Sequence, residues 1–269
     1  MAELCYETIN RSPFLTPGFE ADLPAQMRAA GKAGFRWTGL DLPSIRQYLE
    51  RGGSLRDLRS LLEDVGLRCL ELQPLILSED VEATRDEAHA FAEVAAFLDV
   101  PWVQGGVVAE PSPALMDSFR VAASTLAEAG AAIALEYLPF NALCSIADTR
   151  RFLARSGVES ARIVVDTWHF FHGPDEWMDL ETLAVEELAY PQFNDAPPLE
   201  SEDLMYETTQ RRMLPGAGRF DLERFSRLIL DKGYEGPVSI EILSASLRQE
   251  TPERFARAAY EASAPYWSR

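Results

Sequence analysis

The chain has 269 residues, of which 47% are hydrophobic and 25% are charged, and its formal net charge is -18 at pH 7. This composition supplies an ample apolar core and is typical of globular proteins. A strongly negative chain repels polyanions, and no apolar segment approaches the roughly 20 residues that span a bilayer. We therefore expect no nucleic-acid partner and no membrane insertion. Because no signal-peptide pattern is present, we expect a cytoplasmic location.

The cysteines and lysines exclude further classes of protein. Cys5, Cys69 and Cys144 are odd in number and widely spaced, which favours neither a disulfide framework nor a zinc ribbon. Lys32 and Lys232 are the only lysines, and each lies just before a glycine and an aromatic residue at a predicted helix end. This context disfavours Schiff-base chemistry.

Short apolar runs alternate along the chain with segments of helical periodicity. The runs predict strands at about 4–8, 35–41, 67–72, 100–105, 131–136, 163–165, 189–194 and 238–242. Helices are predicted at about 22–33, 45–51, 55–65, 79–98, 113–129, 147–156, 176–188 and 221–233. The segment 195–220 contains two groups of helix breakers and is predicted to be a loop.

Eight strands that alternate with helices form parallel crossover units. In a chain of this length they predict an α/β protein, a (β/α)₈ TIM barrel, with a single domain over residues 1–269. An open doubly wound sheet is the alternative. Its dinucleotide-binding fingerprint is absent, because Gly216-Ala217-Gly218 follows a long loop and lacks a third glycine at the right spacing.

Three predicted strands end in a carboxylate. Ile163 to Val165 form a β-branched run, typical of a strand buried on both faces, and Asp166 follows it directly. Glu136 and Glu241 end two other apolar runs, and Gln192 lies in the seventh strand. Ligands bind at the carboxyl ends of parallel strands, so these side chains are expected to converge.

Several carboxylates brought together cannot all remain ionised unless a cation lies among them. Oxygen donors with one amide suit Mn²⁺, Mg²⁺ or Co²⁺ better than an ion that prefers thiolates, although Zn²⁺ also fits. We therefore expect one divalent metal ion as cofactor. The alternative is that each acid only caps a helix or forms an ion pair.

Five motifs in this order resemble those of the xylose isomerase-like barrel family, which includes sugar phosphate isomerases and epimerases. They are Leu135-Glu136, Val164 to His169, Gln192 to Asp195, Leu214 to Gly218 and Val238 to Glu241. The resemblance spans most of the chain. It implies a contact between His169 and the substrate, and it implies four metal ligands: Glu136, Asp166, Gln192 and Glu241.

The seventh strand departs from the commonest pattern of that family, which has a histidine three residues before an aspartate. Here that position is Gln192, as in a branch similar to 3-dehydroshikimate dehydratases, and its carbonyl oxygen would be the donor. Those dehydratases also have a histidine about ten residues beyond the strand-five glutamate, where this chain has Leu143 to Ile146. Relatives similar to endonuclease IV bind three zinc ions through many histidines, and this chain has only three histidines.

The resemblance implies an enzyme, an isomerase or epimerase of a keto sugar or related polyol that transfers a proton through a metal-stabilised enediolate. Glu136 and Glu241 would remove and return the proton, with His169 as a further proton carrier. Two alternatives stay open. If the intermediate expels a β-hydroxyl, the enzyme is a dehydratase of a 3-dehydroshikimate-like or inosose-like substrate; if the chemistry has decayed, the barrel is a sugar-binding protein.

The expected partner is a small sugar-like molecule. Trp168 is predicted to line its pocket, as aromatic side chains do for such ligands. Arg211, Arg212 and Arg219 flank the turn from Pro215 to Gly218, in a region where barrels often bind phosphate. Of these, Arg211 and Arg219 are the predicted contacts of an anionic substrate.

Three further expectations complete the sequence prediction. His172 is predicted to lie in a loop. Asp195 is expected either to orient Gln192 or to cap a helix. A homodimer is a family-level expectation only.

Overall fold

The computed structural model describes residues 2–268. Its eight parallel strands follow one another around a closed barrel in chain order, which confirms the predicted (β/α)₈ fold. The strands are β1 (Leu4–Glu7), β2 (Trp37–Asp41), β3 (Arg68–Leu77), β4 (Trp102–Val107), β5 (Ala132–Glu136), β6 (Arg162–Asp166), β7 (Leu188–Gln192) and β8 (Val238–Ile240).

The helices lie between and after the strands. In the N-terminal half they are α1 (Leu23–Ala33), α2 (Leu42–Glu50), α3 (Leu55–Val65), α4 (Val81–Leu98) and α5 (Pro113–Glu128). They continue with α6 (Ile146–Ser156), α7 (Thr167–His172), α8 (Trp177–Thr182), α9 (Leu204–Gln210), α10 (Leu222–Asp231) and α11 (Pro252–Trp267). Within residues 2–268, no helix has both the length and the apolar character needed to cross a bilayer.

Side-chain caps explain where many of these helices begin and end. Asp22, Ser54 and Ser145 each accept a hydrogen bond from a backbone amide of the first turn of α1, α3 and α6. Such a cap stabilises a helix by about 1 kcal/mol. Gly34 and Gly66 end α1 and α3 with φ of 114° and 71°, a backbone conformation that glycine adopts without strain.

The chain packs as two compact units. The terminal unit comprises residues 2–70 and 191–268, and the central unit comprises residues 71–190. In the terminal unit β1 pairs with both β2 and β8, and β7 pairs with β8 at Gln192 and Ser239. In the central unit β3, β4, β5 and β6 pair successively.

Each unit has its own aromatic contacts in the core. In the terminal unit the ring of Tyr6 packs edge-on against Phe35 at 5.5 Å and Phe255 at 6.0 Å between centroids. In the central unit Phe119 of α5 meets Phe152 of α6 at 5.1 Å. Edge-to-face pairs of this kind add about 0.5–1.5 kcal/mol beyond the area that they bury.

The segment after β6 differs from the sequence prediction. The predicted helix at 176–188 is wrong, because the chain forms the short helix α8, then a single 3₁₀ turn (Val185–Glu187), and enters β7 at Leu188. The helix α7 was not predicted, and His172 belongs to it and not to a loop. Aromatic residues have modest helix propensity, so the cap that Asp166 provides decides where this helix begins.

Three other segments also differ from the prediction. The segment 195–220 contains α9, which begins after the cap Asp203. Strand β3 runs on to Leu77, past a cis peptide bond between Gln73 and Pro74. Strand β8 ends at Ile240, so Glu241 is the first residue beyond it, and α11 follows without having been predicted.

Candidate active site

The central unit brings two of the predicted ligands together. Glu136 and Asp166 end the neighbouring strands β5 and β6, and Glu136 pairs in register with Val164. Each offers a carboxylate oxygen, and these oxygens lie within 4.8 Å of each other. Asp166 is fully buried and Glu136 is half-buried. Two carboxylates at this distance repel each other in a medium that screens poorly, so the pair favours a cation between them.

The partners of Glu136 carry no fixed charge. The Gln104 side-chain amide, on β4, donates to Glu136 Oε2 at 2.7 Å. His169 Nε2 lies 3.2 Å from Glu136 Oε1. The Gln104 amide orients the carboxylate but carries no charge, and Glu136 Oε1 accepts no hydrogen bond from any residue between 2 and 268.

Asp166 is also a helix cap, as the alternative interpretation of the acids expected. Its Oδ1 accepts the His169 backbone N–H at 3.1 Å and thereby fixes the first turn of α7. A carboxylate has about four lone-pair sites, so a cap that occupies one of them is compatible with metal ligation. The same contact fixes the position of His169.

Trp168 is buried beneath the two histidines of α7. Its ring packs edge-on against His169 at 5.4 Å and tilted against His172 at 4.5 Å between centroids. His169 Nδ1 is buried and has no hydrogen-bond partner within residues 2–268. Trp168 therefore supports the His169 ring from the core.

A half-buried acid lies in the loop that follows α7. Asp175, between α7 and α8, accepts the backbone N–H of Ile146 at 3.0 Å and joins the loops that follow β5 and β6. Burial raises the pKa of Asp175 to about 6, although Tyr137 and the Ile146 amide act in the opposite direction. Burial also raises the pKa of Tyr137, the residue directly after Glu136, well above its usual value.

The terminal unit brings the other two predicted ligands together. Gln192 ends β7, is fully buried, and donates from Nε2 to Glu241 Oε1 at 3.2 Å. Its carbonyl oxygen Oε1 is buried and accepts no hydrogen bond from any residue between 2 and 268. A buried acceptor without a donor costs about 1–3 kcal/mol, and a metal ion would satisfy it.

Glu241 differs from Glu136 in having a permanently charged partner. Arg212 Nη1 donates to Glu241 Oε2 at 3.0 Å and to the Glu241 backbone oxygen at 3.2 Å. Arg212 is only 2% exposed. Its Nη2 donates to Thr208 Oγ1 at 2.8 Å and its Nε to the Thr208 backbone oxygen at 2.9 Å. Glu241 is thus held by a buried guanidinium and by the Gln192 amide.

The two arginines predicted to contact substrate lie elsewhere on the same segment. Arg211 Nη2 contacts Glu200 Oε1 at 2.6 Å, and its Nη1 contacts Glu207 of α9. Arg219 is exposed, and its backbone N–H donates to the Ala196 oxygen. Both arginines lie in the segment between β7 and α10. A contact of either one with substrate stays a prediction.

Asp195 shapes the turn between residues 215 and 218. Its Oδ2 accepts the backbone N–H groups of Gly216 and Gly218, and its Oδ1 accepts those of Ala196 and Phe220. The residue therefore neither orients Gln192 nor caps a helix.

The structure adds two residues to the site that the sequence prediction left out. Gln104 could have been noticed as a polar residue inside the apolar run of the fourth strand. Arg212 was noticed beside the turn but was not selected, because nothing in the sequence shows which of two adjacent arginines points inward.

Comparison with known proteins agrees with this geometry. A family model described as a xylose isomerase-like TIM barrel matches residues 27–264. The chain belongs to this family. The match covers both units, and it confirms the resemblance seen in the sequence motifs.

Two curated relatives indicate what this xylose isomerase-like barrel is similar to. One is a 3-dehydroshikimate dehydratase of Pseudomonas aeruginosa, 27% identical over 246 residues, which are 87% of this chain and 38% of the relative. The other is an inosose isomerase of Halalkalibacterium halodurans, 22% identical over 231 residues, which are 79% of each protein. The chain spans less than half the length of the dehydratase.

Among solved structures, the IolI protein, whose crystal structure contains a bound zinc atom, is similar to this xylose isomerase-like barrel with a TM-score of 0.86. Its sequence identity is 17%, and the match covers 99% of this chain and 98% of that protein. At this identity the similarity establishes the fold alone.

Proposed function

We propose that this barrel is a divalent-metal-dependent enzyme that removes the proton next to a carbonyl of a sugar-like, polyhydroxylated substrate. The observation that carries the proposal is the pair Glu136 and Asp166, whose carboxylate oxygens lie within 4.8 Å of each other. The Gln104 amide donates to Glu136, His169 Nε2 lies 3.2 Å from Glu136, and the His169 backbone N–H donates to Asp166. None of these three groups bears a fixed positive charge. A divalent cation supplies the charge that this arrangement favours.

The proposed ligands of that ion are Glu136, Asp166, Gln192 and Glu241. Support comes from the barrel itself, since parallel strands of a TIM barrel present their carboxyl ends on one face. Support also comes from Gln192, whose buried carbonyl oxygen lacks a donor among residues 2–268. Oxygen ligands favour Mn²⁺, Mg²⁺ or Co²⁺, and Zn²⁺ also binds carboxylates.

The residues of the chain then have separate tasks. A bound divalent ion supplies Lewis acidity toward a carbonyl and the hydroxyl beside it. Glu136 and His169 are within hydrogen-bond reach at 3.2 Å, so a proton taken up by one can pass to the other. Glu241 is the second proposed acid-base residue. Trp168 fixes the His169 ring, and Arg211 and Arg219 are the proposed contacts of an anionic substituent.

Loss of a β-hydroxyl is the outcome that we favour. The relative of higher identity is a dehydratase, and its alignment covers 87% of this chain. The amide at Gln192 agrees with this choice, because the branch that this position resembles consists of dehydratases. Isomerisation or epimerisation is the second candidate, supported by the inosose isomerase, whose length matches this chain better.

The test is to incubate the purified protein in heavy water with 3-dehydroshikimate, inososes and keto sugars, after chelation and after addition of Mn²⁺, Mg²⁺, Co²⁺ or Zn²⁺. A new unsaturated product is expected. Deuterium incorporation without loss of water would select the isomerase or epimerase. Binding of sugars without turnover would instead indicate a decayed, sugar-binding barrel.

Two variants accompany this test. Glu241→Gln removes a proposed ligand and acid-base residue, and Glu159→Gln is its matched control, because Glu159 is exposed in the loop before β6. Glu241→Gln should abolish turnover, and Glu159→Gln should leave it unchanged. A protein that neither retains a divalent ion nor gains thermal stability from any of the four ions would overturn the proposed function.

A further inference from the structure

Arg212 occupies an unusual position for an arginine. It is 2% exposed, and its guanidinium contacts Glu241 through Nη1 and Thr208 through Nη2 and Nε. Burying a cation is costly unless it is paired and hydrogen-bonded. The contacts with Glu241 and Thr208 satisfy both conditions.

The backbone explains why Arg212 reaches Glu241. Residues 211–213 follow α9 directly, and the Arg212 N–H donates to the Leu243 oxygen at 3.1 Å. Arg211 forms a bridge with Ser244 on the same pair of segments. The chain after β7 is therefore joined to the chain after β8, beside Glu241.

We propose that Arg212, anchored by Thr208, is a positioning residue that holds Glu241 in one orientation as a metal ligand. The inference rests on the proposed function, because it assigns Arg212 a task at the metal site described there. It also makes the short helix α9, which carries Thr208, part of the support of that site.

Charge supports the assignment. Three carboxylates and a divalent cation together carry a net charge of about -1, and the guanidinium brings the sum to about zero. In a poorly screened interior such a balance lowers the cost of assembling the site. Arg212 is the cation that the structure places on Glu241.

Geometry supports it equally. Each oxygen of Glu241 already has one donor, Gln192 Nε2 on Oε1 and Arg212 Nη1 on Oε2. These two contacts prevent the carboxylate from rotating, and a carboxylate oxygen can accept more than one contact. Supporting contacts of this kind typically change metal affinity by 10-fold to 100-fold when they are removed.

The fork shape of the guanidinium is needed for this task. Arg212 directs Nη1 to Glu241 while Nη2 and Nε face Thr208, whereas a lysine has a single nitrogen. Arg212→Lys would therefore keep the charge and lose the anchor. Thr208→Val would keep both charge and shape and would lose only the hydroxyl contact.

The test measures Mn²⁺ affinity by titration, and the rise in Tm that Mn²⁺ causes, for the wild type, Thr208→Val, Arg212→Lys and Arg212→Met. The matched control is Thr209→Val, the same change at the next position of α9, where the hydroxyl bonds to the backbone of its own helix at 2.7 Å. We expect affinity to fall about 10-fold in Thr208→Val and further in Arg212→Met, with partial recovery in Arg212→Lys. Thr209→Val should bind Mn²⁺ like the wild type.

The Mn²⁺-induced rise in Tm separates positioning from general stability, because it compares each variant with its own metal-free form. If Arg212→Met does not fold, Thr208→Val and Arg212→Lys decide the question. Equal Mn²⁺ affinity in the wild type and these variants would overturn the inference and leave the proposed function intact. A wild type that binds no divalent ion would remove both.

Discussion

The two units hold their carboxylates in opposite ways. In the central unit Glu136 accepts a hydrogen bond from the Gln104 amide and lies 3.2 Å from His169 Nε2. In the terminal unit Glu241 is paired with the buried guanidinium of Arg212. The negative charge is therefore left largely uncompensated in the first case and is neutralised in the second. If the proposed function is correct, the charge that a cation would balance lies at the end of β5 and β6, whereas Glu241 already has Arg212 as a cationic partner.

The largest expected effect follows from removing the uncompensated charge. Glu136→Gln should lower the rate of proton exchange at the carbon next to the carbonyl by about 10³-fold, because it removes a proposed base. The measurement is deuterium incorporation by mass spectrometry, with Glu159→Gln as control. Exchange at the wild-type rate would show that Glu136 is not the residue that removes the proton.

The comparison predicts a difference in stability as well. Glu241→Gln takes the carboxylate away from a buried guanidinium, so it should lower the metal-free free energy of unfolding by about 3 kcal/mol. Glu136→Gln should change it by less than about 1 kcal/mol, because the partners of Glu136 are an amide and an imidazole. Urea unfolding in the presence of chelator measures both values. Equal losses in the two variants would contradict the contrast between the units.

The smallest expected effect concerns Asp175. Because burial raises its pKa to about 6 from 3.8, the folded protein holds this proton more tightly than the unfolded chain does. The resulting stabilisation is complete below about pH 3.8 and is lost as the pH rises through about 6. Asp175→Asn removes this dependence, so it should raise Tm relative to the wild type at pH 8 more than at pH 4.

Thermal unfolding of Asp175→Asn and of the wild type at the two pH values checks this. Asp64→Asn, at an exposed acid of α3, serves as the comparison. If Asp175→Asn and the wild type differ in Tm by the same amount at pH 4 and at pH 8, burial does not raise the pKa of Asp175.

Much of the fold could be predicted because the apolar runs in the sequence coincide with strands that are buried on both faces. The β-branched run before Asp166 and the apolar runs before Glu136 and Glu241 end at or just before the acids that the sequence singled out. Parallel strands are buried on both faces, so their apolar runs are conspicuous and their ends are well marked.

The short helices could not be predicted for the opposite reason. Helix α7 consists of six residues, five of them aromatic or histidine, and it depends on one cap instead of on periodicity. Helix α9 has seven residues within a segment rich in helix breakers. A hydrophobic period needs about three turns to stand out, which neither helix provides.

The site residues show a similar limit. Arg211 and Arg212 are adjacent in the segment that follows α9, yet their side chains contact different partners. One faces Glu200 and Glu207, and the other faces Glu241. Composition cannot show which arginine contacts Glu241, because this depends on how the segment pairs with the chain after β8.

The turn from Pro215 to Gly218 has a consequence for what the protein can recognise. Its amides converge like an anion-binding nest, but the anion is supplied from within, by Asp195. Gly218 leaves room for it, because a Cβ at that position would lie 2.2 Å from Asp195 Oδ1. A substrate phosphate would have to expel a buried carboxylate to bind these amides. The amides of this turn are therefore already occupied by an anion of the chain itself, and a phosphate-bearing substrate would need other donors.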